Sequence, residues 1–219
     1  GGFALCALLI FLGKALPGEA KQRPQDFHTW SWIQSAWPML LTGCMQILNR
    51  ETSIIVLGTL GTAEDTGFFR IAQRGALLIP FGLQAVNKTI SPTISRLYVN
   101  RQMGQLQKVI TKSSRANMIY ATPCAIVLMF GGFWLVPFVF GEEFSPGIWP
   151  LIILCAGQLF NVAMGSVGHV LVMTGNERIA ARGVAIAAIA NVLLNVLLVP
   201  LWGADGAALA TSLSLVVWN

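Results

Sequence analysis

The stretch Ala116–Gly141, ANMIYATPCAIVLMFGGFWLVPFVFG, decides the fold: its 26 residues contain no Asp, Glu, Lys or Arg. A helix of about 20 residues crosses a bilayer core of about 30 Å, so this stretch reads as one span. Three more windows, 27–49, 144–176 and 183–204, are equally free of those residues. Over the 219 residues, 55% are hydrophobic and 11% are charged, where a soluble domain carries about 25% charge. With a mean hydropathy of +0.67, this excludes an ordinary water-soluble fold. The sequence describes an all-α polytopic membrane protein, with spans expected at about 30–59, 68–95, 116–140, 147–174, 183–200 and 206–219. A partial span is expected at 1–13, and both ends of the chain read as cut.

Charge alternates between the connections. Ten of the fourteen basic residues fall in loops 14–26, 96–115 and 175–182, while Glu64, Asp65, Glu142, Glu143 and Asp205 occupy the intervening turns. Basic loops face the cytoplasm, so the net charge of +5 is an orientation signal and no nucleic-acid partner is expected. Leu106, Val109 and Ile110 suggest that loop 96–115 carries a helix lying along the cytoplasmic surface. Trp30, Trp32, Trp37, Trp149, Trp202 and Trp218 read as interfacial anchors. Cys6, Cys44, Cys124 and Cys155 sit in apolar stretches without a CxxC pair, so neither a metal site nor a cofactor is expected.

Five charges remain inside or at the margins of two spans: Arg50, Glu51, Arg70, Arg74 and Lys88. Each costs about 2.5–3.5 kcal/mol at a helix centre, which an aqueous cavity or an anionic ligand can offset. Arg70 and Lys88 are five turns apart, Arg74 is one turn from Arg70, and Gln84 lies near the same line, with Pro80 and Pro92 kinking the helix. Arg50, Arg70, Arg74, Gln84 and Lys88 are therefore the candidate binding residues for an anionic substrate, and Glu51 is a candidate for ion coupling. The plainer alternatives are snorkelling of Arg70, Arg74 and Lys88 to headgroups, an ion pair for Arg50 and a structural salt bridge for Glu51. Gln158, Asn161, Gly165 and His169 share a face of the fifth span, and Asn191 and Asn195 are one turn apart on the sixth. Such spacing reads first as glue between helices.

Five motifs, in order, resemble those of polysaccharide exporters. Residues 64–72, EDTGFFRIA, resemble the opening G-x-Y/F-x-x-A of a span, and 90–98, ISPTISRLY, resemble its close, P-x-I/L-A/S-R-L-Y/F. Residues 140–144, FGEEF, resemble an F-G-x-x-F/Y hairpin. Residues 173–177, MTGNE, and 200–211, PLWGADGAALAT, resemble two later turns of the same family. The resemblance covers about 30–219 and is to oligosaccharide (O-antigen and related polysaccharide) flippases of the multidrug/oligosaccharidyl-lipid/polysaccharide exporter superfamily.

That resemblance implies two six-helix bundles, 12 or more spans, around a cavity that opens to alternate sides. It makes residues 1–13 the end of the last helix of the first bundle and 14–29 a cytoplasmic inter-bundle linker. Residues 30–219 become most of the second bundle, whose partner is the missing N-terminal bundle of the same chain. The implied substrate is an oligosaccharide on undecaprenyl pyrophosphate, turned from the cytoplasmic to the periplasmic leaflet of a bacterial inner membrane. Within the superfamily, a multidrug/cation antiporter and a lipid II flippase stay open as alternatives. A membrane-embedded glycan polymerase or acyltransferase is the alternative of another class. Enzyme chemistry there needs a convergent set of acids or His, and Glu51 and His169 are expected near opposite membrane faces.

Overall fold

Lipid supplies no water to satisfy backbone N–H and C=O groups, so an apolar chain must close its hydrogen bonds within itself. The computed structural model describes residue 47 and residues 50–219, and helices account for nearly all of these. They belong to one of the chain's two compact units, Trp37–Asn219; the other, Gly1–Ala36, lies outside the described residues. The expected partial span 1–13, the linker 14–29 and the opening of span 30–59 also lie outside the described residues.

The first described helix, α1, runs through residues 50–60. Thr62 then caps α2 (Ala63–Ala76): its hydroxyl oxygen accepts from the Asp65 N–H at 3.0 Å and donates to Asp65 Oδ2 at 2.7 Å. Glu64 and Asp65 lie in the first turn and Arg74 in the last, each on the side that complements the helix dipole. Residues 77–80 leave α-helical geometry and end at Pro80, after which α3 (Phe81–Val99) continues. The expected span 68–95 is thus two helices: Pro80 has no N–H to give and its ring excludes the preceding turn.

A left-handed Arg101 (φ 55°) turns the chain into α4 (Met103–Phe140). This corrects the expectation of a separate surface helix in 96–115. Leu106, Val109 and Ile110 instead pack on Ile94 and Leu97 of α3 and Met173, which holds the foot of α4 in line with its span. A 3-10 turn (Glu142–Gly147) leads to α5 (Ile148–Met164), then, after a break at Gly165 and Ser166, to α6 (Val167–Met173) and α7 (Glu177–Trp218). Among the described residues, three segments are long and apolar enough to cross a membrane: Met103–Phe140, Glu142–Met164 and Glu177–Trp218.

The last of these is two arms joined at a turn. Gly203 has φ 50° and ψ −125° inside α7, a conformation that a side chain opposes. Beyond it the chain doubles back, because a Cβ on Gly183 would stand 3.0 Å from the Trp218 ring; a straight helix would separate those residues by about 52 Å. The two arms correspond to the expected spans 183–200 and 206–219. The second arm carries Ala204, Gly206, Ala207, Ala208, Ala210 and Ser214, all buried. Small residues let helices approach closely where lipid offers no hydrophobic driving force. Here they meet α5, and Ser212 Oγ donates to the Ile153 carbonyl at 3.0 Å. Phe69, Ala72 and Ala76 of α2 and Ala121 and Ala125 of α4 complete this core.

The acidic turns converge at one end of the bundle. Phe68 and Phe144 meet edge to face at 5.8 Å, and a Cβ on Gly203 would stand 2.8 Å from Asp65 Oδ1. Asp205, in the turn between the two arms, has its Oδ1 buried without a hydrogen-bond partner. Burial, and then the charge of Asp65, hold its carboxyl above the ordinary value of 3.8. A raised carboxylate pKa means the folded state binds more protons, so stability falls as pH rises through the folded value. Asp205→Asn is accordingly expected to raise the thermal midpoint at neutral pH. It should also flatten the loss of stability between pH 3.8 and neutrality, measured by thermal unfolding in detergent across that range. An unchanged pH profile would show that Asp205 carries none of it.

Candidate functional site

Breaking a helix inside a membrane frees backbone groups, which are tolerated where they line a cavity or meet polar side chains. Both interruptions, 77–80 and 165–166, open onto the same cavity of about 470 Å³: Leu77 and Pro80 line it at one break, Gly165 and Ser166 at the other. Gly165 has φ 79° and ψ −156°, a region that only glycine enters without strain.

The walls are amide-rich. Gln73 of α2, Gln84 and Asn87 of α3 and Gln158 and Asn161 of α5 all reach the cavity, with Thr211, Ser214 and Trp218 on the second arm of α7. Several are oriented by one another. Gln73 Nε2 donates to the Arg50 carbonyl at 3.2 Å, and Asn161 Nδ2 donates to Gln158 Oε1 at 3.3 Å while its own Oδ1 accepts from Asn219 Nδ2 at 2.9 Å. Ser166 Oγ donates to Asn87 Oδ1. This contact begins a ladder between α3 and α6: Ser91 Oγ and His169 Nε2 are 2.7 Å apart, and Ser95 Oγ donates to the Met173 carbonyl at 3.3 Å. Asn87, Ser91 and Ser95 are one turn apart, so one face of α3 holds the half-helix α6 in place.

Among the described residues, Arg50 is the one charged residue lining the cavity. Of the other candidates read from the sequence, Gln84 joins it there, whereas Arg70, Arg74 and Lys88 are exposed outside the lining and Glu51 is half-buried outside it. The break at 77–80 explains the division: it separates Arg70 and Arg74 from Gln84 and Lys88, so no continuous stripe runs down one helix. Arg74 follows the lining residue Gln73 in sequence and Lys88 follows Asn87, each about 100° further round its helix. Among the described residues, no carboxylate lies within 4.0 Å of any of these four cations.

Sequence reasoning passed over Gln73, Asn87 and Ser166 and read Gln158 and Asn161 as glue. Their signal was polarity within a span beside Gly165 or Pro80. Asn191 and Asn195 are buried away from the cavity, with Asn195 Nδ2 donating to the Asn191 carbonyl at 2.9 Å. Trp218, expected as an interfacial anchor, instead forms cavity wall, its ring against Gly168 and Gly183.

A family model described as polysaccharide biosynthesis protein matches residues 24–148, more than half of the chain. The chain is similar to a probable low-salt glycan biosynthesis flippase, Agl15, of Haloferax volcanii (29% identical over 164 residues, 75% of this chain and 35% of that protein). It is also similar to the capsular polysaccharide biosynthesis protein CapF of Staphylococcus aureus (24% over 178 residues, 81% and 45%). A second Haloferax volcanii protein, the probable flippase AglR, is 24% identical over 201 residues (89% and 41%). The chain therefore spans less than half the length of these relatives. Among solved structures, an outward-facing multidrug resistance transporter of the MATE family and MOP superfamily superposes with a TM-score of 0.67 at 23% identity, over 83% of this chain and 41% of that one. That likeness concerns the fold.

Gly165→Ala tests the break. A Cβ there would stand 2.7 Å from Ser114 Oγ, and the backbone strain adds about 1–3 kcal/mol, so a clear fall in thermal midpoint is expected. Gly104→Ala, in open space at the start of α4, should instead be neutral or stabilising by up to about 1 kcal/mol. Equal effects from the two would remove the special role of Gly165.

Proposed function

The chain belongs to the polysaccharide biosynthesis protein family, and on that premise we propose that it is the second bundle of a transporter for lipid-linked oligosaccharide. Its substrate is a short glycan on undecaprenyl pyrophosphate, turned from the cytoplasmic to the periplasmic leaflet of a bacterial inner membrane. The observation that carries this reading is the composition of the cavity among the described residues: one guanidinium, five carboxamides, three hydroxyls and an indole, with no carboxylate.

Each component suits one part of that substrate. Sugar hydroxyls both donate and accept, and carboxamides answer both from one side chain. The Trp218 ring offers an apolar face for the C–H surface of a sugar. A pyrophosphate needs charge-assisted donors, and Arg supplies a planar fork that a Lys cannot. In this reading Arg50 and Gln84 meet the substrate in the cavity, and Arg70, Arg74 and Lys88 draw the anion along its flank. Glu51, beside Arg50 in sequence and outside the lining, is where ion coupling would act. Discontinuous helices around a site near mid-membrane are a recurring device of alternating-access transporters. Exporters of organic cations call for acids in the cavity, which disfavours a drug-antiporter reading despite the shared fold.

In the full-length protein, Arg50→Gln is expected to lower glycan export roughly 10- to 100-fold at limiting substrate, the loss of one charge-assisted contact. Carrier-linked intermediate should accumulate inside, with protein levels unchanged. Arg50→Lys should recover part of the activity, and Arg74→Gln with Lys88→Gln should give a smaller defect. Normal surface polysaccharide in all three variants would refute the assignment.

A further inference from the structure

The foot of α4 carries a second cationic feature on the opposite side of that helix from its packed face. The buried line of α4 runs through Leu106, Asn117 and Ala121. At 100° per residue, Lys108, Lys112, Arg115, Ile119, Ile126 and Phe130 all fall within about 40° of the line directly opposite Asn117. All six are exposed, Ile119 at 76% and Phe130 at 72%. One face of α4 is therefore apolar and open along its span and becomes purely basic below Ile119.

The heights match the layers of a bilayer. From Ile119 to Phe138, the latter 92% exposed, is about 29 Å of helix, the thickness of the hydrocarbon core. Arg115 then lies about 6 Å below the core edge and Lys112 about 10 Å below. The headgroup layer is about 5–8 Å thick on each side. Arg115 sits within it, and the long stems of Lys112 and Lys108 reach back toward it. The ladder is held rigidly, because the other side of the same turns packs Leu106, Val109 and Ile110 onto Ile94 and Leu97. Among the described residues no carboxylate pairs with any of the three cations at salt-bridge distance.

We propose that Lys108, Lys112 and Arg115 form a binding site for an anionic phospholipid headgroup, the acyl chains lying along Ile119, Ile126 and Phe130. The Arg fork takes the phosphodiester oxygens and the two Lys add point charges beside it. The site lies across α4 from its packed face, and its existence does not depend on what the transporter carries.

The test uses the full-length protein in nanodiscs made from equal amounts of phosphatidylglycerol and phosphatidylcholine. The lipid retained after transfer to detergent is counted by native mass spectrometry. Phosphatidylglycerol should be retained preferentially. The preference should fall about five-fold for each cation removed, and roughly a hundred-fold in K108Q/K112Q/R115Q. The charge-preserving K108R/K112R/R115K and the charge-removing R178Q/R182Q on α7 should both keep it, which separates loss of the site from loss of the fold. Equal retention of the two lipids by the unaltered protein overturns the proposal. So does an unchanged preference in the triple glutamine variant, or displacement of the lipid by millimolar inorganic phosphate, which would mark a site for free anions.

Discussion

The governing constraint is that hydrocarbon leaves no backbone hydrogen bond unmade. Wherever the chain departs from a helix within the membrane, something polar must stand opposite the departure. Two departures, at 77–80 and at Gly165–Ser166, lie on different helices and share one cavity. The carboxamides follow from that: in apolar surroundings, Gln73, Asn87 and Gln158 would each be costly to bury, and the opened helices give them a wetted place. The third departure, at Gly203, stands among the acidic turns at the end of the bundle.

Electrostatics then sets what the cavity favours. Arg50, with no carboxylate within 4.0 Å among the described residues, leaves local positive potential, strongest where protein walls keep the dielectric low. Neutral amides around it add hydrogen-bonding reach without cancelling that potential. The multidrug resistance transporter that superposes on this chain shares its fold, and a shared fold leaves the chemistry of the cavity walls free to differ.

Much of the architecture was legible along the chain. Uncharged windows fall on helices, and Glu142–Glu143 and Asp205 fall at turns, whereas Lys108–Arg115 and Arg178–Arg182, expected in loops, belong to the N-terminal parts of α4 and α7. The reversal at Gly203 could be read from Pro200, Gly203 and Gly206. The breaks were harder. A helix pattern persists through Leu77–Pro80 and through Gly165, since local apolarity is the same whether or not the hydrogen-bond ladder continues. The cationic stripe, drawn along one helix kinked at Pro80 and Pro92, was divided for that reason. Gln158 and Asn161 posed a different problem. Spacing says that two amides share a face, but whether that face meets a helix or a void depends on α3 and α7, which are remote in sequence. Trp218 was misplaced on the same ground, because its neighbours Gly168 and Gly183 come from other passes.

That indole has a mechanical consequence. Its ring fills the space that a Cβ on Gly168 of α6 or on Gly183 of the first arm of α7 would need, so the two glycines cut notches that the ring occupies. Helices seat ridges in grooves and must unseat them to move. The cavity wall at Trp218 is therefore built as a keyed joint: a shift of the half-helix α6 against α7 has to carry the ring along or lift it from its notches.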